Sequence, residues 1–161
     1  MRRRIGALVL LLSLTLSLAL ADEAPDVSKG CAFSSRGATR AELKTLTDGK
    51  YTTYLKVRAG GEILIDGKGR RLGSVTLQFY DRPTGTEILA KVGEDWVSAG
   101  VRGRYLSDWV VLPEGTTAIR LVNTSGARMM LAEVTVFGEG ERPDKSPEWH
   151  DCEKADLMVV A

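Results

Sequence analysis

Short runs of alternating apolar and polar residues, separated by turn sequences, most constrain what this chain can fold into. In "GSVTLQFYD", Val75, Leu77 and Phe79 alternate with Thr76 and Gln78, and a period of two residues sends alternate side chains to opposite faces of a β-strand. Similar runs are "EILID", "DWVVLPEGT", "TAIRLVNTSG" and "LAEVTVFGEG", with turns such as "DG", "PTG", "PEG" and "TSG" between runs. No window shows a sustained helical period, so we predict an all-β antiparallel sandwich over residues 30–140.

The first 21 residues have the composition of a secretion signal. Met1–Arg4 is basic, Ile5–Leu20 is apolar, and Ala19 to Ala21 fits the small-residue cleavage rule. We predict a signal peptide over 1–21, a secreted product, and no membrane attachment after cleavage. The alternative is an uncleaved anchor, although this apolar run is shorter than the roughly 20 residues that span a bilayer. Residues 22–29 are polar, and we expect a flexible N-terminus there.

The net charge excludes two classes of partner. Without the three arginines of the signal, the 22 Lys and Arg fall to 19 against 21 acidic residues, which leaves a charge of −2. A mildly acidic chain lacks the positive footprint of a nucleic-acid-binding protein and the polybasic patch that anionic lipid requires. We therefore expect no nucleic-acid partner and no membrane partner, and we expect a monomer.

The inventory of catalytic residue types is small. His150 is the single histidine, whereas a zinc site needs three or four ligands and a hydrolase triad needs a histidine held on a scaffold. We predict no catalytic residue and no zinc in this chain as it stands. Cys31 and Cys152 are the two cysteines, and in a secreted protein they are candidates for a disulfide, with two free thiols as the alternative.

One turn has oxygen atoms suited to calcium. In "LTDGKYTTY", the Asp48 carboxylate and the Thr53 hydroxyl can point into the same loop, and hard oxygen ligands suit Ca²⁺. A plain Asx turn is the alternative. Glu133 interrupts an apolar strand in "LAEVTVFGEG", where a carboxylate is costly unless it is paired or bound to metal.

These two segments, with "SVTLQFYDRPT" and "YLSDWVVLPEGTTAIRLV" between them, resemble the discoidin, or coagulation-factor type C, family. The resemblance covers roughly residues 28–140 and implies a galactose-binding-like jelly-roll β-sandwich. It implies that Asp48, Thr53 and Glu133 are side-chain ligands of a structural Ca²⁺. It also implies that the chain ends lie close together, which favours the Cys31–Cys152 bridge. Leu55 departs from the family, which often has Trp at that position.

The tail resembles a different family. Residues 141–153 are charged and contain Pro143 and Pro147, so we expect a linker. Residues 154–161, within "EKADLMVVA", resemble the first strand of secreted PIG-L (LmbE-like) deacetylases, where a His-Pro-Asp-Asp motif follows. The sequence stops before that motif. We therefore expect a truncated first strand of a PIG-L-like α/β domain, from a parent zinc-dependent N-deacetylase whose catalytic residues are absent here.

We expect a non-catalytic accessory module that binds a glycan or cell-wall polysaccharide through loops at one end of the sandwich. The candidate ligand-binding residues are Arg82, Trp96, Arg102, Arg104, Tyr105 and Arg128. For each there is an alternative, since the aromatic residues can belong to the core and the arginines can be solvated. Trp109 is assigned to the core. The alternative function is a structural spacer or protein-interaction domain without a sugar site.

Overall fold

The computed structural model describes residues 25–140. The predicted signal peptide, linker and truncated strand, with Cys152, lie outside these residues. In chain order the described strands are β1 (Ala32–Ser35), β2 (Leu55–Val57), β3 (Glu62–Asp66), β4 (Leu72–Phe79), β5 (Thr86–Val92), β6 (Asp95–Arg102), β7 (Ser107–Val111), β8 (Thr116–Asn123) and β9 (Met129–Gly138). One short helix, α1 (Arg40–Lys44), lies between β1 and β2.

The strands form two antiparallel sheets, as predicted. One sheet has the order β1-β3-β8-β5-β6, and the other has the order β2-β9-β4-β7. Strands from both halves of the chain are neighbours in each sheet, so the sandwich is a single unit built from non-local pairs. No helix in residues 25–140 is long and apolar enough to cross a membrane.

The core contains the apolar positions that alternate along the strands. In β4, Val75 and Leu77 are fully buried, and Phe79 is 3% exposed. In the other alternating runs quoted above, the same parity buries Ile63, Ile65, Val110, Leu112, Ile119, Leu121, Val134 and Val136. Burial of such side chains contributes about 1.5–3 kcal/mol each, so this alternation fixes which face of each strand points inward.

Trp109 does not belong to the core. Val110 is 1% exposed, and its neighbour on the strand must therefore face away from the core. On the outer face of the four-stranded sheet, the Trp109 ring stacks on Phe137 with centroids 5.6 Å apart and planes 5° apart. The assignment of Trp109 to the core was wrong, because the parity that buries Val110 turns Trp109 outward.

Residues 25–29, which belong to the predicted flexible N-terminus 22–29, are hydrogen-bonded to the last strand. The Val27 amide donates to the Val136 carbonyl at 2.8 Å, and the Gly138 amide donates to the Pro25 carbonyl at 2.9 Å. The Ser28 hydroxyl accepts from the Val136 amide at 2.7 Å and donates to the Asp26 carboxylate at 2.6 Å. Backbone pairing with the last strand fixes a segment whose composition alone resembles a free terminus.

The connections lie at two opposite ends of the sandwich. At one end, the loop end, are L1 (36–39), L2 (58–61), L3 (80–85), L4 (103–106) and L5 (124–128). At the other, the terminal end, are residues 25–31, 67–71, 93–94, 112–115 and 139–140. The chain therefore enters and leaves the described sandwich at the terminal end.

Candidate binding site at the loop end

Asn123 holds two loops of this end together. Its side chain is fully buried, and Nδ2 donates to the carbonyl oxygens of Val57 at 3.2 Å, Arg58 at 3.1 Å and Ala127 at 2.9 Å. Its Oδ1 accepts from the amide and the hydroxyl of Ser125 at 3.1 and 2.8 Å. One buried amide group therefore uses both its donors and its acceptor to fix L2 against L5. This role could not be predicted from the sequence, because "NTSG" indicates only a turn.

L3 and L4 are held together by a close backbone approach. Gly103 has φ +121°, and a Cβ at this position would lie 2.3 Å from the Thr84 carbonyl oxygen, so only glycine allows the contact. The Gly103 amide donates to Asp108 Oδ2 at 2.9 Å, and Asp108 is 8% exposed. A charge-assisted bond to a buried carboxylate is stronger than a neutral one, so it fixes the start of L4.

A cavity of about 550 Å³ opens beside L4. Its lining includes Arg102, Arg104 and Tyr105, which are three of the six predicted ligand-binding residues, together with Asp108. The Tyr105 side chain is exposed, and the guanidinium carbon of Arg104 lies 5.4 Å from its ring centroid. An exposed aromatic face beside charged donors can hold a polar ring by stacking and hydrogen bonding.

The other predicted arginines lie at the same end. Arg82 belongs to L3, where its Nε lies 4.0 Å from Asp81 in a solvent-exposed contact. Arg128 belongs to L5. The structure adds Arg36 in L1 and Arg58 in L2, which are not among the six predicted residues. Only the strand order shows that L1 and L2 share an end with L4.

Trp96 lies apart from this site. It is the second residue of β6, next to the turn 93–94 at the terminal end. The guanidinium carbon of Arg120 lies 4.3 Å from the Trp96 ring centroid, and Arg120 Nε lies 3.5 Å from Glu62. The expectation that Trp96 belongs to a loop of the site was wrong. Its ring forms a cation–π contact on the outer face of the five-stranded sheet.

The three predicted calcium ligands come together at one turn beside β9. Asp48 Oδ1 accepts from the Lys50 amide at 2.8 Å, which makes the Asx turn given as the alternative. Asp48 Oδ2 accepts from the Thr53 hydroxyl at 2.9 Å. Glu133 approaches from β9, and its Oε2 accepts from the Gly49 amide at 3.2 Å. The two carboxylates thus face the same short segment.

The oxygen atoms of this turn fit a hard cation. The Thr53 hydroxyl oxygen lies 2.9 Å from Asp48 Oδ2 and 3.0 Å from the Lys50 carbonyl oxygen, yet its single proton can serve only one acceptor. Carboxylate, hydroxyl and carbonyl oxygens are the donor types that Ca²⁺ accepts. Within 25–140, no three His, Cys, Asp or Glu residues are grouped so that they could hold a metal ion together, so neutral oxygens would complete the shell of an ion bound by Asp48 and Glu133.

Cys31 lies at the terminal end, just before β1. Its thiol donates to the Val27 carbonyl at 3.5 Å, and burial raises the pKa of the thiol above its usual value. The chain leaves β9 at this same end, since the Gly138 amide donates to Pro25. The Cys31–Cys152 disulfide stays a prediction, because Cys152 is outside the described residues.

Comparisons with known proteins place this architecture. No family model matches the chain, and no curated protein matches it. The family 32 carbohydrate-binding module of NanJ from Clostridium perfringens, solved in complex with galactose, is 13% identical with a TM-score of 0.58. That match covers 71% of this chain and 98% of the module. A second C. perfringens structure, CpGH89CBM32-6, is 12% identical with a TM-score of 0.59, over 71% of this chain and 100% of that one.

The fold is a galactose-binding-like β-sandwich. The predicted fold class is therefore confirmed. A family 89 glycoside hydrolase from C. perfringens contains a similar region, at 18% identity and a TM-score of 0.56. That match covers 84% of this chain but only 18% of the hydrolase. The galactose-binding-like sandwich is thus similar both to whole small domains and to one part of a much larger enzyme.

Proposed function

We propose that this sandwich is a non-catalytic carbohydrate-binding module whose binding site is the loop end. The observation that supports this most is the cavity beside L4, where exposed Tyr105 and Arg104 lie on a loop fixed by Gly103 and Asp108. A site whose loops are already ordered loses little conformational entropy when it binds a ligand. The family 32 module of NanJ, which has the same fold, was solved with galactose.

A glycan array followed by calorimetric titration tests this proposal. Tyr105→Ala removes the exposed ring beside the cavity, and we expect it to weaken binding of the best glycan by about tenfold or more, because ring stacking contributes roughly 1–3 kcal/mol. Tyr51→Ala is the matched control, because Tyr51 is an exposed tyrosine outside L1 to L5. If the folded protein binds no glycan, the alternative function of a structural spacer or protein-interaction domain is preferred.

We propose that Asp48, Thr53 and Glu133 hold a structural Ca²⁺ at the turn beside β9. The ion would join residues 48–53 to the last strand, and it has no role in a reaction. A ligand that binds only the folded state raises the melting temperature. We expect chelator to lower the melting temperature of the wild type and to leave that of Asp48→Asn unchanged. Equal melting temperatures for wild type with and without chelator would exclude the ion.

We also propose that this sandwich belongs to a larger, secreted protein. The resemblance of residues 154–161 to a PIG-L strand supports a parent zinc deacetylase, and the composition of residues 1–21 supports secretion. Nucleotide sequence downstream of the codon for Ala161 tests the first, since a continuation encoding His-Pro-Asp-Asp would support it. The mass of the exported protein tests the predicted secretion. A thiol count on that protein tests the disulfide, which requires that no free thiol be found.

A further inference from the structure

The two ends of the sandwich differ in charge. L1 to L5 contain five arginines and one acidic residue. The segments of the terminal end contain four basic and four acidic residues. Residues 22–161, which follow the predicted signal, together carry a net charge of −2. The loop end is therefore positive although this part of the chain as a whole is negative. A local excess of one sign attracts ligands of the other sign.

Within residues 25–140, the arginines of the loop end have almost no carboxylate partners. Arg36, Arg58, Arg104 and Arg128 form no ion pair with any carboxylate in residues 25–140, and Arg82 has only its exposed 4.0 Å contact with Asp81. The acidic groups nearby are already engaged, since Glu62 pairs with Arg120, Asp108 accepts from Gly103, and Glu42 accepts from Thr39. A guanidinium has five N–H donors in a planar arrangement that matches a carboxylate or sulfate.

These arginines also lie on ordered backbone. The Arg58 carbonyl is held by Asn123 at 3.1 Å, and Arg104 follows Gly103, whose amide is held by Asp108 at 2.9 Å. Adjacent strands lie about 4.8 Å apart, and L1 and L4 adjoin the two edge strands of the five-stranded sheet. The arginines of L1 to L5 therefore form a row across the whole end of the sandwich. This row of arginines can contact several units of a polymer chain.

We infer that the ligand of the loop end is an anionic glycan, whose carboxylate or sulfate groups bind to this row of arginines. This inference rests on the proposed function and specifies its substrate class. The sugar rings would lie against Tyr105, and the charged groups would accept from Arg104 and from arginines further along the row. Part of the affinity comes from electrostatic attraction between exposed charged groups. Salt screens this attraction, so the affinity falls as the salt concentration increases.

Calorimetric titration against three polysaccharides tests the inference: polygalacturonate for carboxylate, heparin for sulfate, and galactan as the neutral arm. We expect one or both acidic polymers to bind, with affinity that decreases at high salt, and galactan to bind at least tenfold more weakly. Arg104→Gln and Arg58→Gln should each lower affinity for the acidic polymer by about tenfold, the loss of one charge-assisted hydrogen bond. Arg71→Gln should leave it unchanged, because Arg71 is exposed but lies 3.9 Å from Glu139 at the other end.

The outcomes separate the inference from the proposed function. Binding of galactan at least as tightly as the acidic polymers, with equal affinity in wild type and Arg104→Gln, would overturn the anionic ligand and leave the carbohydrate-binding module standing. Binding to phosphatidylserine vesicles but to no polysaccharide would overturn both, as would no binding at all by protein with an unchanged melting temperature. An equal loss of affinity in Arg71→Gln would indicate a general charge effect and would also overturn the inference.

Discussion

The loop end and the terminal end of this sandwich use their polar residues differently. At the terminal end, charges pair with neighbours, as Arg71 does with Glu139 and Lys91 does with Glu94, and the turns are short. At the loop end, buried polar groups of Asn123 and Asp108 bond to loop backbone, while the arginines remain available. Both ends close the same two sheets, and the terminal end does so with paired charges. Closing the fold therefore does not require unpaired arginines.

This contrast indicates which polar residues serve stability and which are free to bind. Exposed ion pairs such as those of the terminal end contribute only about 0–1 kcal/mol, so their pairing mainly removes charge from the surface. The buried anchors of the loop end contribute more, because an unpaired buried polar group costs about 1–3 kcal/mol. The loop end therefore has rigid backbone and unused donors, and a binding site needs both.

Among the substitutions that test this contrast, Asn123→Ala is expected to have the largest effect. The substitution leaves the carbonyls of Val57, Arg58 and Ala127 without their side-chain donor, and we expect the free energy of unfolding to fall by about 3 kcal/mol. Ser28→Ala at the terminal end removes one hydroxyl that bonds Val136 and Asp26, with an expected loss of about 1 kcal/mol. Urea denaturation measures both. Equal losses would mean that the two ends are anchored alike.

A smaller effect is expected from glycine substitutions at the two ends. Gly103→Ala adds a Cβ at 2.3 Å from the Thr84 carbonyl oxygen and should cost about 2 kcal/mol or more, because L3 and L4 must separate. Gly93→Ala has a positive φ of 59° but open space around the new Cβ, so the expected cost is about 1 kcal/mol of backbone strain. Thermal unfolding compares the two. A larger loss at Gly93 would contradict the close packing of L3 on L4.

The smallest effect concerns pH at the start of α1, beside L1. The backbone N–H and hydroxyl of Thr39 hold the pKa of Glu42 below its usual value. The ionised form is thus favoured by folding, and this stabilisation is complete above the ordinary pKa and disappears as pH falls through the lowered one. We expect Glu42→Gln to be less stable than wild type near neutral pH, with a difference that vanishes in acid. A difference that persists unchanged at low pH would exclude the carboxylate as its cause.

The sequence predicted the sheets better than it predicted the site. Alternation in "EILID" and "GSVTLQFYD" gave the buried faces of β3 and β4, because side-chain parity is a local property. The same parity places Trp109 outside, contrary to its assignment to the core. The residue types indicated the turn with Asp48 and the unusual Glu133 separately, and the resemblance to a family joined them, since no local rule joins residues so far apart.

The arrangement of the loop end could not be predicted from local pattern. Arg36 and Arg58 are ordinary exposed arginines in the sequence, and they join Arg104 only because L1, L2 and L4 end at the same side of the sandwich. Asn123 appeared to be a turn residue, yet its fully buried amide bonds three carbonyls. Such roles depend on strand order, which the pattern of alternation does not specify.

Two-dimensional amide NMR of the folded sandwich during titration with an acidic oligosaccharide would locate the ligand. The expected result is a set of saturable shift changes in L1 to L5, strongest at Arg104 and Tyr105, with the signals of residues 67–71 and 93–94 unchanged. Shift changes concentrated at the terminal end, or on the sheet face that carries Trp109 and Phe137, would contradict a binding site at the loop end.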